Sequence, residues 1–344
     1  MGRQEYYDRL DRHVDSEDKP LVILGESGVG KSALLANWVR RYRQEHPQDL
    51  VFLHFIGSTP QSTDYVALLH RLLSAIKRRY PQQTPEEVPS QPDKLREALP
   101  LWLAGAAAQG RLVLILDGLN QLNDKDQAPD LGWLPASFPP NVRVILSTLP
   151  GRALAALTKR AWPTFTVEGL KPEEIRQVGP EFLGLYRKTL DERLLARLAA
   201  APPCANPLYL RALLEELRVF GVYPELDARL SDYLRAPDPP ALYGRILIRM
   251  EGDYEKDRPG LVGEALACLW ASRGGLFESE LLELLGSPAG PLPRAYWSPL
   301  HLALEDSLVS RSGLLGFSHD YLRQAVQERY LILPEVERAA LTSG

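Results

Sequence analysis

The chain has 344 residues, 45% of them hydrophobic and 24% charged, with a formal net charge of −4. It is long enough for two or three domains with sizeable cores, and it lacks the global basic field that draws nucleic acid or anionic lipid. No apolar run approaches the length of a membrane span, and Cys204 and Cys268 make no metal spacing, which points to a reducing, cytoplasmic compartment.

In chain order, residues 2–10 read as the start of a short helix, and Leu21-Val22-Ile23-Leu24 as a buried strand. Gly25-Glu26-Ser27-Gly28-Val29-Gly30-Lys31-Ser32 follows and fits G-x-x-x-x-G-K-[ST] without a mismatch; Ala33 comes next. Leu34, Leu35, Trp38, Val39 and Tyr42 then recur at helical spacing. Strand, glycine loop and helix is what phosphate binding needs. The glycines let backbone N–H groups converge on one concavity, and the helix N-terminus adds partial positive charge. Lys31 can reach the β- and γ-phosphates of ATP or ADP, and the Ser32 hydroxyl can ligate Mg²⁺.

The first helix should stop near His46-Pro47. Residues 50–56 read as a second strand, 65–76 as an amphipathic helix and 95–108 as another. The helix at 65–76 ends in Lys77-Arg78-Arg79-Tyr80, a basic cluster better suited to a helix C-terminus than to RNA. Between these helices, residues 81–92 read as an exposed loop. Leu112-Val113-Leu114-Ile115-Leu116-Asp117-Gly118 has the unbroken aliphatic run of a parallel strand buried on both faces. An Asp at its carboxyl end lies where open α/β sheets bind ligands, the Walker B arrangement in which Asp117 would hold Mg²⁺, usually through water. Residues 142–147 form a fourth strand ending at Thr148, a plausible polar sensor of the γ-phosphate, and 164–167 a fifth. Strands alternating with helices imply an α/β fold, a P-loop NTPase with a five-stranded parallel sheet.

Residues 170–220 read as helical throughout, with Pro207 in a first helical turn where proline is tolerated. Residues 235–240, with three prolines, read as a linker. Beyond it, helices at 261–272 and 280–285 precede two strands, 307–310 and 314–317, joined across Arg311-Ser312-Gly313. Ser318 is expected to cap a helix from His319 to Tyr330. Helices with a terminal β-wing describe a winged helix. The expected division is a nucleotide-binding domain (1–168), a small helical domain (169–236) and a winged-helix domain (237–334).

The P-loop, the Walker B strand, Asn206-Pro207-Leu208-Tyr209-Leu210 and Phe317-Ser318-His319 follow one another as in the NACHT-type STAND ATPases. With His54-Phe55-Ile56-Gly57-Ser58-Thr59, they resemble the NACHT modules that accompany tetratricopeptide repeats, over nearly the whole chain. Gly2-Arg3-Gln4-Glu5 resembles the opening of that class, which would put Arg3 beside the adenine. The resemblance further implies Pro207 against the adenine and His319 on the β-phosphate. It implies a state closed with ADP that opens and self-associates with ATP. Effector and sensor domains are absent from the sequence, which reads as an excised module or core.

The chain departs from the family pattern in two places. Further acids usually follow the Walker B Asp, whereas Asn120 and Gln121 stand here. Neither takes a proton, although Gln121 could orient a water, as glutamine does in some GTPases. Leu149 replaces a customary arginine, for which Arg152 is a nearby substitute. A nucleotide-gated switch with slow ATP hydrolysis is the first reading. A turnover ATPase or P-loop kinase is the alternative, and would want a catalytic acid and a substrate site. No Asn-Lys-x-Asp guanine signature occurs. Residues 237–344 hold ten Lys/Arg against fifteen Asp/Glu, the wrong balance for a DNA-binding winged helix.

Overall fold

Alternation along short aliphatic strands builds the first half of the protein. In β3 (Leu112–Asp117), Val113 and Ile115 join one apolar cluster, and Leu112, Leu114 and Leu116 join another. β1 (Leu21–Leu24) and β4 (Val142–Ser147) divide in the same way. A sheet apolar on both faces must be covered on both. α1 (Gln4–Asp15) and α2 (Lys31–Glu45) contribute Leu10, Leu34, Leu35 and Trp38 to one cluster. α3 (Tyr65–Arg79) and α4 (Pro92–Gln109) contribute Leu68, Leu72, Leu99 and Trp102 to the other. Each such buried side chain contributes about 1.5–3 kcal/mol.

With β2 (Leu50–Phe55) and β5 (Thr164–Thr166), the strands form a wholly parallel sheet in the order β2-β3-β4-β1-β5. The sheet is thus the five-stranded α/β architecture expected from the sequence. Edge strands expose unpaired carbonyls. On β2, Arg43 from α2 donates to the Val51 carbonyl at 2.9 Å and Arg71 from α3 to that of Leu53 at 2.7 Å. The basic cluster closing α3 has a similar structural use, since Arg79 donates to the Gln48 carbonyl at 3.1 Å. α5 (Arg152–Lys159) completes this half.

The computed structural model describes residues 3–16, 19–82, 84–85, 87–219, 226–272, 274–311 and 313–332. Gly2, Phe220, Ser312 and residues 333–334, all included in the sequence expectations, lie outside them. The chain divides into two compact units, 1–169 and 170–344.

The second unit contains α6 (Pro172–Gly184), α7 (Glu192–Ala200), α8 (Pro207–Val219), α9 (Leu226–Tyr233), α10 (Pro239–Tyr254) and α11 (Leu261–Ala271). β6 (Leu276–Phe277), α12 (Glu278–Leu284), α13 (Arg294–Ala303), β7 (Leu308–Arg311), β8 (Leu314–Phe317) and α14 (Asp320–Val326) follow. One apolar cluster runs through it from Ile175 to Val326.

Three expectations for this unit need correction. Residues 235–240 are not simply a linker: Asp238 caps α10, accepting from Ala241 N, and the adjacent prolines occupy its first turn, where no N–H is missed. The hairpin β7–β8 gains a third antiparallel strand, β6, too short to carry a period. Ser318 does not cap α14. Its hydroxyl donates to the Ser307 carbonyl at 2.9 Å, and His319 is the N-cap.

α8, α9 and α10 are joined by a buried polar cluster. Arg249 forks onto Glu216, with Nε to Oε2 at 2.5 Å and Nη2 to Oε1 at 2.9 Å, while Tyr233 donates to the same carboxylate at 2.6 Å. The Glu216 and Arg249 side chains are only 7% and 11% exposed. Breaking such a pair strands a buried charge. Glu216→Ala should therefore cost about 3–5 kcal/mol, read as a lower urea midpoint for the second unit. A cost below about 1 kcal/mol, the worth of an exposed pair, would show that the pair is solvated.

Candidate functional site

Three segments converge at the carboxyl edge of the sheet: the loop after β1, the end of β3 and the end of β4. The loop is bent by glycines at left-handed φ, +142° at Gly25, +79° at Gly28 and +89° at Gly30. Gly25 is also constrained by space, because a Cβ there would lie 2.5 Å from the Val167 carbonyl oxygen. Val29 is buried in the core and anchors the loop, while Glu26 and Ser27 face solvent. Gly30 is the N-cap of α2, whose first turn holds Lys31, Ser32 and Ala33. First-turn amides have no intrahelical acceptor and are available to an anion.

Lys31 Nζ lies over the loop, donating to the carbonyls of Gly25 at 2.7 Å and Glu26 at 2.9 Å. Burial lowers its pKa, and the Asp117 carboxylate opposes that shift. Asp117 is only 5% exposed. Its Oδ2 accepts from the exposed Ser32 hydroxyl at 2.5 Å, and its Oδ1 accepts from Ser147 at the end of β4. The Ser147 hydroxyl in turn accepts from Gly118 N at 2.9 Å. Thr148, not Ser147, is the residue the sequence singles out here; the signal for Ser147 is register, since Leu116 pairs with Leu146 and the next residues are Asp117 and Ser147.

The remaining expected site residues fall in distinct places. Arg3 lies beside the loop: Nη2 donates to the Glu168 carbonyl at 3.2 Å, and Nη1 lies 3.8 Å from where a Cβ on Gly30 would stand. Thr148 is fully buried, with its hydroxyl donating to the Leu149 carbonyl at 3.1 Å. Gln121 is exposed and lies against Gly57, where a Cβ would meet its Oε1 at 1.6 Å. Asn120 Oδ1 accepts from Leu149 N at 3.2 Å. Arg152, expected to substitute for an arginine at 149, is partnered by two aspartates. Asp124 at 2.5 Å and Asp130 at 2.7 Å hold its guanidinium.

In the second unit Pro207 opens α8, and Asn206 Oδ1 accepts from Leu208 N at 2.9 Å. His319 Nδ1 accepts from Leu322 N at 3.4 Å, and Nε2 lies 2.8 Å from Tyr243 Oη. The first contact leaves the proton on Nε2, which then donates to the tyrosine.

Among the described residues no cluster of three or more His, Cys, Asp or Glu could hold a metal. A hard cation at this edge would draw on Ser32, Asp117 and phosphate oxygens, an oxygen set that suits Mg²⁺. No helix among the described residues is long and apolar enough to cross a membrane.

A glycine loop leading into a helix, facing an acid-terminated strand across one intervening strand, defines a P-loop NTPase. Residues 19–184 match the NACHT domain family, and this stretch is a NACHT-type P-loop module. A TPR repeat-containing protein of Dictyostelium discoideum is 30% identical over 359 residues, covering 93% of this chain and 21% of that protein. Human nephrocystin-3 is 27% identical over 352 residues, covering 98% of this chain and 25% of that protein. The chain thus spans about a quarter of the length of such relatives. A STAND protein with a tetratricopeptide repeat sensor from Pyrococcus horikoshii shares the fold, with a TM-score of 0.51 at 16% identity over 99% of this chain and 44% of that one.

His319 supplies a pH test within the second unit. Burial lowers its pKa to about 4, with Asp320 raising it and Arg211 lowering it further. Between pH 6.5 and about 4 the unfolded chain takes up a proton that the folded chain refuses. The neutral ring therefore contributes stability above pH 6.5 that is lost as pH falls through 4, about 3 kcal/mol at most. His319→Asn keeps a capping side chain but cannot titrate. Its urea stability, subtracted from that of the native chain, should give a gap that narrows from pH 7 to 4. A flat difference would show that the ring titrates alike in the folded and unfolded states.

Proposed function

We propose that this chain is a nucleotide-gated switch of the STAND type, binding ADP and ATP with Mg²⁺ and hydrolysing ATP slowly. The observation that carries this reading is the convergence of Lys31, Ser32 and Asp117 on one glycine loop. Lys31 would exchange its loop carbonyls for phosphate oxygens. Ser32 and Asp117 would hold Mg²⁺, which when bound screens phosphate charge. The loop amides from Gly25 to Ala33 would cradle the β-phosphate, with Arg3 beside the adenine.

The second unit would comprise a small helical domain (169–236) and a winged-helix domain (237–334) that gates the nucleotide. Pro207 would pack on the adenine in the ADP form. A β-phosphate oxygen would take the His319 Nε2 proton now given to Tyr243. The ATP form would open and self-associate, in a cytoplasmic protein. Thr148 would sense the γ-phosphate.

Lys31→Ala should weaken ADP and ATP alike, because both carry the β-phosphate. His319→Ala should weaken ADP by about 10-fold or more, the worth of one hydrogen bond to a charged group, and ATP less. Isothermal titration checks both. Undiminished ADP affinity in a folded Lys31→Ala protein would remove the P-loop from the mechanism.

Hydrolysis should be slow. A positioned acid–base group adds about 10²–10⁴-fold. Asn120 and Gln121 cannot serve, Asp124 is paired with Arg152, and Asp126 accepts from Tyr65. With Gln121 restricted to orienting water, turnover in a phosphate-release assay should fall well below about 10 s⁻¹, the median for enzymes. Turnover at that median would favour a working ATPase.

A further inference from the structure

We propose that Ser147 is the positioning residue for the divalent cation, fixing Asp117 so that one face of its carboxylate stays directed at the metal. This rests on the reading of the site as a Mg²⁺–nucleotide site and adds a residue to it.

The geometry leaves the Ser147 hydroxyl no choice of role. It has one proton and two lone pairs. Gly118 N donates to it at 2.9 Å, so one lone pair is taken. Its proton goes to Asp117 Oδ1. One side chain thereby holds both the carboxylate and the backbone amide immediately after it. That amide belongs to a glycine at φ +81°, where the chain leaves β3. Ser147 is fully buried, so water does not replace it readily.

The two hydroxyls on Asp117 differ in kind. Ser32 is exposed, sits on the phosphate-binding loop, and bonds Oδ2 at 2.5 Å. An arriving cation would take both oxygens of that contact as ligands, directly or through water. Ser147 lies behind the carboxylate, on the central strand β4, and Oδ1 stays with it. A ligating carboxylate is oriented by its own hydrogen bonds, and removing such a partner typically costs about 10- to 100-fold in metal affinity.

The test separates metal from nucleotide. ADP affinity is measured by isothermal titration in EDTA and then across a Mg²⁺ series, for the native chain, Ser147→Ala and Ser147→Thr. In Ser147→Ala the apparent Mg²⁺ affinity of the ADP complex should fall by about 10- to 100-fold, while ADP affinity in EDTA stays within about twofold. Ser147→Thr keeps the hydroxyl and should restore the Mg²⁺ response. Should the alanine variant fail to fold, Ser147→Cys keeps the volume with only a weak donor and should show the same selective loss. An unchanged Mg²⁺ response in any folded variant lacking the hydroxyl overturns the proposal. So does an equal loss of metal-free ADP affinity, which would make Ser147 a general support of the loop. A native chain that binds ADP, with variants whose Mg²⁺ response matches its own, sinks this inference alone; a native chain that binds no ADP sinks the nucleotide site itself.

Discussion

The carboxylate of Asp117 is nearly buried at the end of a strand that is otherwise wholly apolar. An ionised group in that position is costly unless each oxygen finds a donor. Ser32 and Ser147 supply them from two different elements. This requires β4 to lie beside β3, and β1 with its loop to lie one strand further on. The order β2-β3-β4-β1-β5 satisfies both requirements. Moving either neighbour would strand the charge, so the sheet order and the polar site stabilise one another.

The second unit handles its buried charge by a related device. Glu216 is enclosed by Arg249 and Tyr233. Its environment raises the Tyr233 pKa, by burial first and then by the carboxylate, so the phenol remains a donor. Burial also keeps the His319 ring neutral, which leaves one nitrogen to cap α14 and the other to donate. In both clusters the protonation state follows from burial and fixes the direction of each hydrogen bond.

The sheet was legible in the sequence because β1 and β3 are bounded aliphatic runs and the covering helices keep their apolar period. The phosphate loop was legible because its glycines serve a backbone shape that few other residues adopt. Ser147 was not, since a serine ending a strand has no distinctive local pattern. Its role appears only when β3 and β4 are set in register. The start of α10 was obscured by Pro239 and Pro240, which suit a helix's first turn as well as a linker. His319 took the capping place expected of Ser318 because the Ser318 hydroxyl bonds back to Ser307.

Asn120 and Gln121 stand where the resemblance read from the sequence leads one to expect acids, and both are put to structural use. Asn120 holds the loop after β4 through Leu149 N, and Gln121 fills the space over Gly57 in the loop after β2. The segment after β3 thus touches the loops that follow both of its neighbouring strands. An aspartate at 120 could accept the same bond, since only an acceptor is needed there. It would, however, add a second negative charge close to Asp117 at the edge where phosphates are proposed to arrive. An amide makes the same connection without that repulsion. An amide here, though it cannot act as a base, therefore leaves the edge less hostile to an anion, a balance that suits a module proposed to retain its nucleotide rather than turn it over.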